Sequence, residues 1–213
     1  MTPGTPAELF RSAAALDPAR PFITFYDDAT GERVELSFTS FENWVNKTAN
    51  LIQDGLVAEP GQRICLLLPV HWQTLVWYLA CWSAGVIAAP GLEPSAADHV
   101  ITGPQSLAGS AGCPGERVLL SLRPLGLPSA DPLPAGVLDY AIEVPGHGDR
   151  FAPIQPASPD ATALEVDGQT WTNDPFRLTA RGGRLHGRGA TDMKGYLACC
   201  LAAVPEMVAG PLA

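Results

Sequence analysis

At 213 residues the chain is long enough for one large domain or two small ones, and its 46% apolar content supports a true core. Acidic residues outnumber basic ones 22 to 13, a net charge of −9 that speaks against a nucleic-acid or anionic-membrane partner. The most apolar run, Leu75–Ala89, is interrupted by Gly85 and falls short of the roughly 20 residues a membrane span needs.

Five cysteines lack zinc-finger spacing. Cys65 and Cys81 lie in apolar runs and read as reduced core residues, Cys113 lies in a Gly-rich loop, and Cys199 and Cys200 fall in the last helical pattern. The opening MTPGTPAELF has neither the basic nor the apolar region of a signal peptide. An acidic, soluble, cytoplasmic protein is the expectation.

Thr5-Pro-Ala-Glu8 is a capping box with Pro6 at the first helical position, predicting a helix to about Leu16. Phe22–Tyr26 and Arg33–Leu36 read as a hairpin turning through Asp27–Gly31. Thr39-Ser-Phe-Glu42 reads as a second capping box, opening a helix that gathers Phe41, Trp44, Val45, Ala49 and Ile52 on one face and ends at Gly55. After a turn at Pro60-Gly61, Ile64–Leu68 reads as a buried strand, Trp72–Ala84 as a helix apolar nearly all round, and Val86–Ala89 as a second buried strand. Strand, helix, strand in that order implies a parallel crossover.

Beyond Gly91, His99–Thr102 and Val118–Leu122 read as further strands, with a short helix from Pro104 between them and another over Val137–Val144. Leu122–Ala135 and Pro145–Ala161 are Pro-rich connections, and Pro153–Asp160 reads as a linker or junction. Among the histidines, His71 sits at a helix entry and reads as a cap or surface residue, and His147 reads as a solvated turn. His99 follows Asp98 in sequence, which does not by itself bring the side chains together.

The run DDATGERVELSFTSFENWVNKTANLI (Asp27–Ile52), followed by PGQRICLLLPVHWQTLVWYLACWSAGVIAAP (Pro60–Pro90), resembles the beginning of adenylate-forming enzymes, the acyl-CoA synthetase superfamily. It resembles even more closely a family of short uncharacterised proteins that keep only this beginning. The resemblance covers roughly 3–164 and implies an acyl or nucleotide ligand. Those enzymes hold ATP phosphates on a Ser/Thr/Gly-rich loop ending in Lys, whose backbone N–H groups and cation face the anion. Ser106–Gly115 is rich in Gly and Ser but carries no Lys.

The densest chemistry lies at Gly183–Gly195, GRLHGRGATDMKG, where Gly187, Gly189 and Gly195 bracket Arg188, Thr191, Asp192 and Lys194 ahead of a helical pattern over Tyr196–Ala209. An aspartate at such a helix entry can cap it or be held there to ligate. With VDGQTWTNDPF (Val166–Phe176), the run resembles the acetylornithine deacetylase and succinyl-diaminopimelate desuccinylase family of zinc aminohydrolases. The resemblance implies that Asp192 bridges two metal ions, zinc being the cofactor and an N-acyl amino acid the small-molecule substrate. An anionic bridge offsets the repulsion of two cations about 3.5–4 Å apart, which together acidify a shared water and polarise the amide.

The same resemblance calls for a His-x-Asp element whose places fall on Asp160 and Thr162, and for further ligands downstream of Ala213. One ligand does not make a catalytic zinc site, which takes about three protein ligands. His186 stands where the family usually has Tyr and is assigned no chemistry. The catalytic residues are left unassigned, and no cofactor-binding residue other than the metal position is named. The expectation is an α/β chain in two parts, 1–164 and 165–213. The first is a partial parallel or mixed sheet with flanking helices, and the second a short strand-helix fragment of another α/β fold. A fused or truncated reading frame accounts for both parts being incomplete. The resulting protein is hydrolase-like by resemblance and inactive alone, or else a non-catalytic ligand-binding or interaction domain.

Overall fold

A computed structural model describes residues 5–28, 30–158, 160–166, 179–181 and 184–186. The chain divides into two compact units, Met1–Asp167 and Gly168–Ala213.

The first unit opens with α1, Pro6–Leu16. Its capping box is complete: Thr5 Oγ1 accepts from the Glu8 N–H at 3.2 Å, and Glu8 Oε2 accepts from the Thr5 N–H at 2.8 Å. Strands β1 (Pro21–Asp27) and β2 (Glu32–Ser37) form the expected antiparallel hairpin. Helix α2 runs over Phe38–Asn50 and continues as one π-helical turn, Leu51–Gly55. The cap of α2 is Ser37, whose hydroxyl accepts the Ser40 N–H, and not Thr39 as the sequence suggested. The difference follows from Thr39 being drawn back to the preceding loop: its N–H and its hydroxyl both donate to the Pro18 carbonyl. Phe10, Phe22, Phe38 and Phe41 meet where α1, the hairpin and α2 converge, with Phe22 and Phe38 ring centres 4.6 Å apart.

Helix α3, Trp72–Ala84, carries only one residue that is not buried, Ser83, consistent with an apolar sequence on every face. It ends at Gly85, whose φ of 73° makes the left-handed cap that a side chain would resist. Five strands, β3 (Arg63–Leu67), β4 (Ile87–Pro90), β5 (His99–Thr102), β6 (Arg117–Leu119) and β7 (Val137–Asp139), form a sheet in the order β4-β3-β5-β6-β7. Every pairing in it is parallel. The short strands are buried and apolar, as parallel strands covered on both faces must be.

A further sequence expectation needs correction. Val137–Val144 does not form one helix: Val137–Asp139 pairs with β6 as β7, and only Tyr140–Glu143 turns into α4. Asp139 causes the change of structure, its carboxylate accepting the Ala141 and Ser129 N–H groups at 2.9 and 2.8 Å. The Pro-rich connection from Pro145 is held in place by α2. Asn50 donates to the Gly148 and Arg150 carbonyls at 2.8 and 2.9 Å, Asn46 to the Asp149 carbonyl at 3.0 Å, and Lys47 pairs with Asp149 at 2.7 Å.

In the second unit, β8 (Thr179–Arg181) and β9 (Arg184–His186) form an antiparallel pair with Ala180 opposite Leu185. The helix expected over Tyr196–Ala209 lies outside the described residues.

Candidate functional site

In a sheet of order β4-β3-β5, the chain reverses its direction of winding between β3 and β5. Such a switch point, at the carboxyl ends of the strands, is where open α/β sheets place ligands. There the β3–β5 ladder runs on by one hydrogen bond, the Gly103 N–H donating to the Leu67 carbonyl at 3.1 Å. A side chain at Gly103 would meet Leu122 at 3.3 Å and Pro69 at 3.5 Å. The Thr102 hydroxyl, fully buried, turns back to the Gly103 carbonyl at 3.0 Å, and that of Thr74 to the Pro69 carbonyl at 2.7 Å.

Ser106–Gly115 follows β5 and takes 3₁₀ turns over Pro104–Ser106 and Ala108–Gly112. Its donors turn inward: the Ser106, Leu107, Ser110 and Cys113 N–H groups go to the Gly103, Pro104, Leu107 and Ser110 carbonyls. Gly115 lies so close to the Asp98 carbonyl oxygen that no Cβ fits there. This arrangement is a packed connection, unlike a phosphate cradle, whose N–H groups must face out.

Each histidine in the first unit has a structural part. His71 caps α3, its Nδ1 accepting the Gln73 N–H at 3.2 Å, and its ring lies 4.7 Å from that of Phe25 and 5.6 Å from that of Trp72. Burial lowers its pKa to about 4, against a smaller opposing pull from Asp27. His99 is buried at the start of β5, and its Nδ1 accepts the Glu116 N–H at 3.2 Å. Burial lowers its pKa too, Asp98 and Glu116 opposing. Both rings therefore act as neutral acceptors. The His147 carbonyl accepts from Lys47 Nζ at 2.6 Å, and its ring is half-buried near Gly55 rather than fully solvated.

Cys65 and Cys81 are held in the core, and Cys113 is partly buried against it. Cys65 is fully buried and donates to the Leu92 carbonyl at 3.0 Å, and burial pushes its pKa up to about 11. Burial also raises Cys81 and Cys113. All three are free. Around Tyr140 there is a further polar group of buried atoms. The Thr48 hydroxyl has one proton, which goes to the Trp44 carbonyl at 2.8 Å, so the Tyr140 hydroxyl is the donor in their 2.6 Å contact. Gln73 and Trp77, one helical turn apart on α3, leave Gln73 Oε1 and Trp77 Nε1 buried without a protein partner, as is His71 Nε2. A surface groove of about 380 Å³ beside β7 is acidic and partly apolar, with Asp131, Val137, Asp139, Ile142 and Glu143 in its lining. Sequence reasoning pointed to neither feature: the Thr48–Tyr140 contact joins residues far apart in the chain, and the groove depends on how the single stretch 129–143 folds around β7.

The metal position Asp192 lies outside the described residues. Asp160 and Thr162, where the zinc aminohydrolase pattern calls for His and Asp, are both exposed. The carboxylate that follows them, Glu165, is taken by Arg63 at 2.9 Å. Among the described residues no three His, Cys, Asp or Glu side chains gather as metal ligands would. These residues do not fit a zinc centre.

Comparison with known proteins separates the chain along the same lines. Residues 10–101 match the family model of AMP-binding enzymes, and residues 160–212 match that of peptidase family M20/M25/M40. A "TIGR03089 family protein" of Mycobacterium tuberculosis is 45% identical over 157 residues, 71% of this chain and 63% of the relative. The succinyl-diaminopimelate desuccinylase of Methylibium petroleiphilum is 54% identical over 41 residues, 19% of this chain and 11% of the enzyme. Among solved structures, the Brucella canis acyl-CoA synthetase superposes with a TM-score of 0.63 over 80% of this chain and 32% of its own, at 16% identity. At that identity the likeness speaks for the fold alone. The chain thus spans less than two thirds of each of these relatives. It joins a segment similar to the beginning of AMP-binding enzymes, with the α/β fold of acyl-CoA synthetases, to a segment similar to peptidase family M20/M25/M40.

Proposed function

We propose that this is a two-part protein that works by binding rather than by turnover. In this reading the AMP-binding-type unit, residues 1–164, takes up an acyl or nucleotide ligand, or a protein partner, without adenylating it. The M20-type segment, residues 165–213, carries the metal-bridging position Asp192 but not the rest of a zinc-dependent N-acyl amino-acid deacylase centre. One observation supports the reading most: the Ser106, Leu107, Ser110 and Cys113 N–H groups of the Gly/Ser-rich loop donate to carbonyls between Gly103 and Ser110 and so do not face a phosphate. The negative charge, and three free thiols among the described residues, favour a cytoplasmic protein without nucleic-acid or membrane partners. Among the described residues no helix is long and apolar enough to cross a membrane.

The second reading, a working amide hydrolase of acetylornithine deacetylase type, draws on the string GRGATDMKG around Asp192. Zinc content per chain by elemental analysis, on wild type and Asp192→Ala in parallel, separates the two. The binding reading expects no stoichiometric zinc in either protein. Zinc near one equivalent in wild type, lost in Asp192→Ala, would overturn it and make N-acetylornithine hydrolysis the next assay. Calorimetric titration with ATP and with a short-chain acyl adenylate tests the other half. Adenylate formation from ATP and a carboxylic acid would contradict it.

A further inference from the structure

The match to peptidase family M20/M25/M40 begins at residue 160, yet the residues just after it belong to the sheet of the first unit. Ala88, in the middle of β4, turns its N–H and C=O away from β3. The N–H donates to the Ala163 carbonyl at 3.1 Å, and the C=O accepts the Glu165 N–H at 3.0 Å. One residue bonded to both neighbours of its partner is the pattern of a parallel ladder, and Ala88 and Leu164 form such a bridge. The Ala163 carbonyl takes a second donor, the Trp82 indole N–H of α3, at 2.7 Å. Glu165 closes the far end on Arg63 of β3, at 2.9 Å. Ala88 is fully buried and Trp82 nearly so, whereas the Arg63–Glu165 pair is half exposed.

We infer that Ala163–Glu165 is a docking strand that caps the β4 edge of the sheet, so that the M20-type segment starts as a structural part of the AMP-binding-type unit. Two consequences follow. The residues directly after the places of the M20-type His-x-Asp metal element, Asp160 and Thr162, are committed here to another fold's sheet edge. The edge itself, whose open N–H and C=O groups would otherwise offer a template for a strand from another molecule, is closed in cis.

Hydrogen exchange on the full chain tests this, because among the described residues the Ala88 N–H donates to the Ala163 carbonyl alone. In wild type the Ala88 and Glu165 amides are expected to be protected together. Glu165→Pro removes the N–H while suiting an extended edge, and should speed exchange at Ala88 by about tenfold or more. Glu165→Gln keeps the N–H and loses only a half-exposed ion pair, so exchange at Ala88 should stay within about twofold of wild type. An Ala88 amide that exchanges in wild type as fast as an unpaired loop amide overturns the inference with no variant needed. So does a folded Glu165→Pro protein in which Ala88 exchanges at the wild-type rate.

Discussion

At the scale of single residues, the histidine capping α3 makes the stability of this protein depend on pH in a defined direction. His71 serves through a lone pair on Nδ1, which only the neutral ring has, and burial lowers its folded pKa to about 4 from an ordinary value of 6.5. As pH falls below that ordinary value the unfolded chain takes up a proton that the folded chain refuses, so stability is full above it and declines until the folded pKa is passed. His71→Asn keeps a capping side chain without a titrating group. Urea unfolding at pH 7 and pH 5 should therefore show a smaller pH effect in the variant than in wild type. An equal effect in both would assign the dependence elsewhere.

Val57 has a φ of 54° and is exposed just after the π-helical turn of α2. A β-branched residue is among the poorest choices for that conformation, which costs an L-residue about 1–2 kcal/mol. Val57→Asn is expected to raise stability by roughly 1 kcal/mol, read as a higher denaturation midpoint with unchanged slope. Neither prediction could come from the sequence. His71 showed its position at a helix entry, but its burial and its contact with Phe25 come from a hairpin remote in sequence.

Among the elements, α1 and α3 were legible to the residue because their signals are local: a capping box with a following proline, and an unbroken apolar run stopped by glycine. The cap of α2 and the start of α4 were misplaced for the opposite reason. Thr39 is recruited by Pro18, and Asp139 by Ser129, in each case through hydrogen bonds that no window of sequence contains. α2 and α4 are joined by a buried hydroxyl pair, Tyr140 and Thr48 at 2.6 Å, with the Thr48 hydroxyl also donating to the Trp44 carbonyl. Tyr140→Phe removes one of these bonds and leaves Thr48 its other, so the cost should be about 0.5–1.5 kcal/mol by chemical denaturation. A loss several times larger would mean that the hydroxyl organises more of the surrounding polar group, including Gln73 and Trp77, than the bonds to Thr48 alone.

For the whole molecule, the site is less legible than the fold. The adenylate-forming resemblance and the Asp192 motif both emerged from the residues, and the comparisons bear out the two similarities. Asp192 itself lies outside the described residues, and the zinc measurement is the direct check on it. On either side of the expected boundary at residue 164, Leu164 is bridged to Ala88 and Glu165 pairs with Arg63. Nothing in ATALEV marks three of its residues as the edge of a sheet begun a hundred positions earlier.

By itself the sequence determined the α/β order of elements, the buried character of β3, α3 and β4, and the join of two dissimilar segments. These depend on local periodicity, caps and motif strings, which are written in neighbouring residues. Only the tertiary structure decided that four N–H groups of Ser106–Gly115 go to nearby carbonyls, that His71 and His99 accept backbone N–H groups through Nδ1, and that the junction is a docking strand. Each of these depends on where distant backbone groups find their hydrogen-bond partners, and that choice is made by the packing of the whole unit.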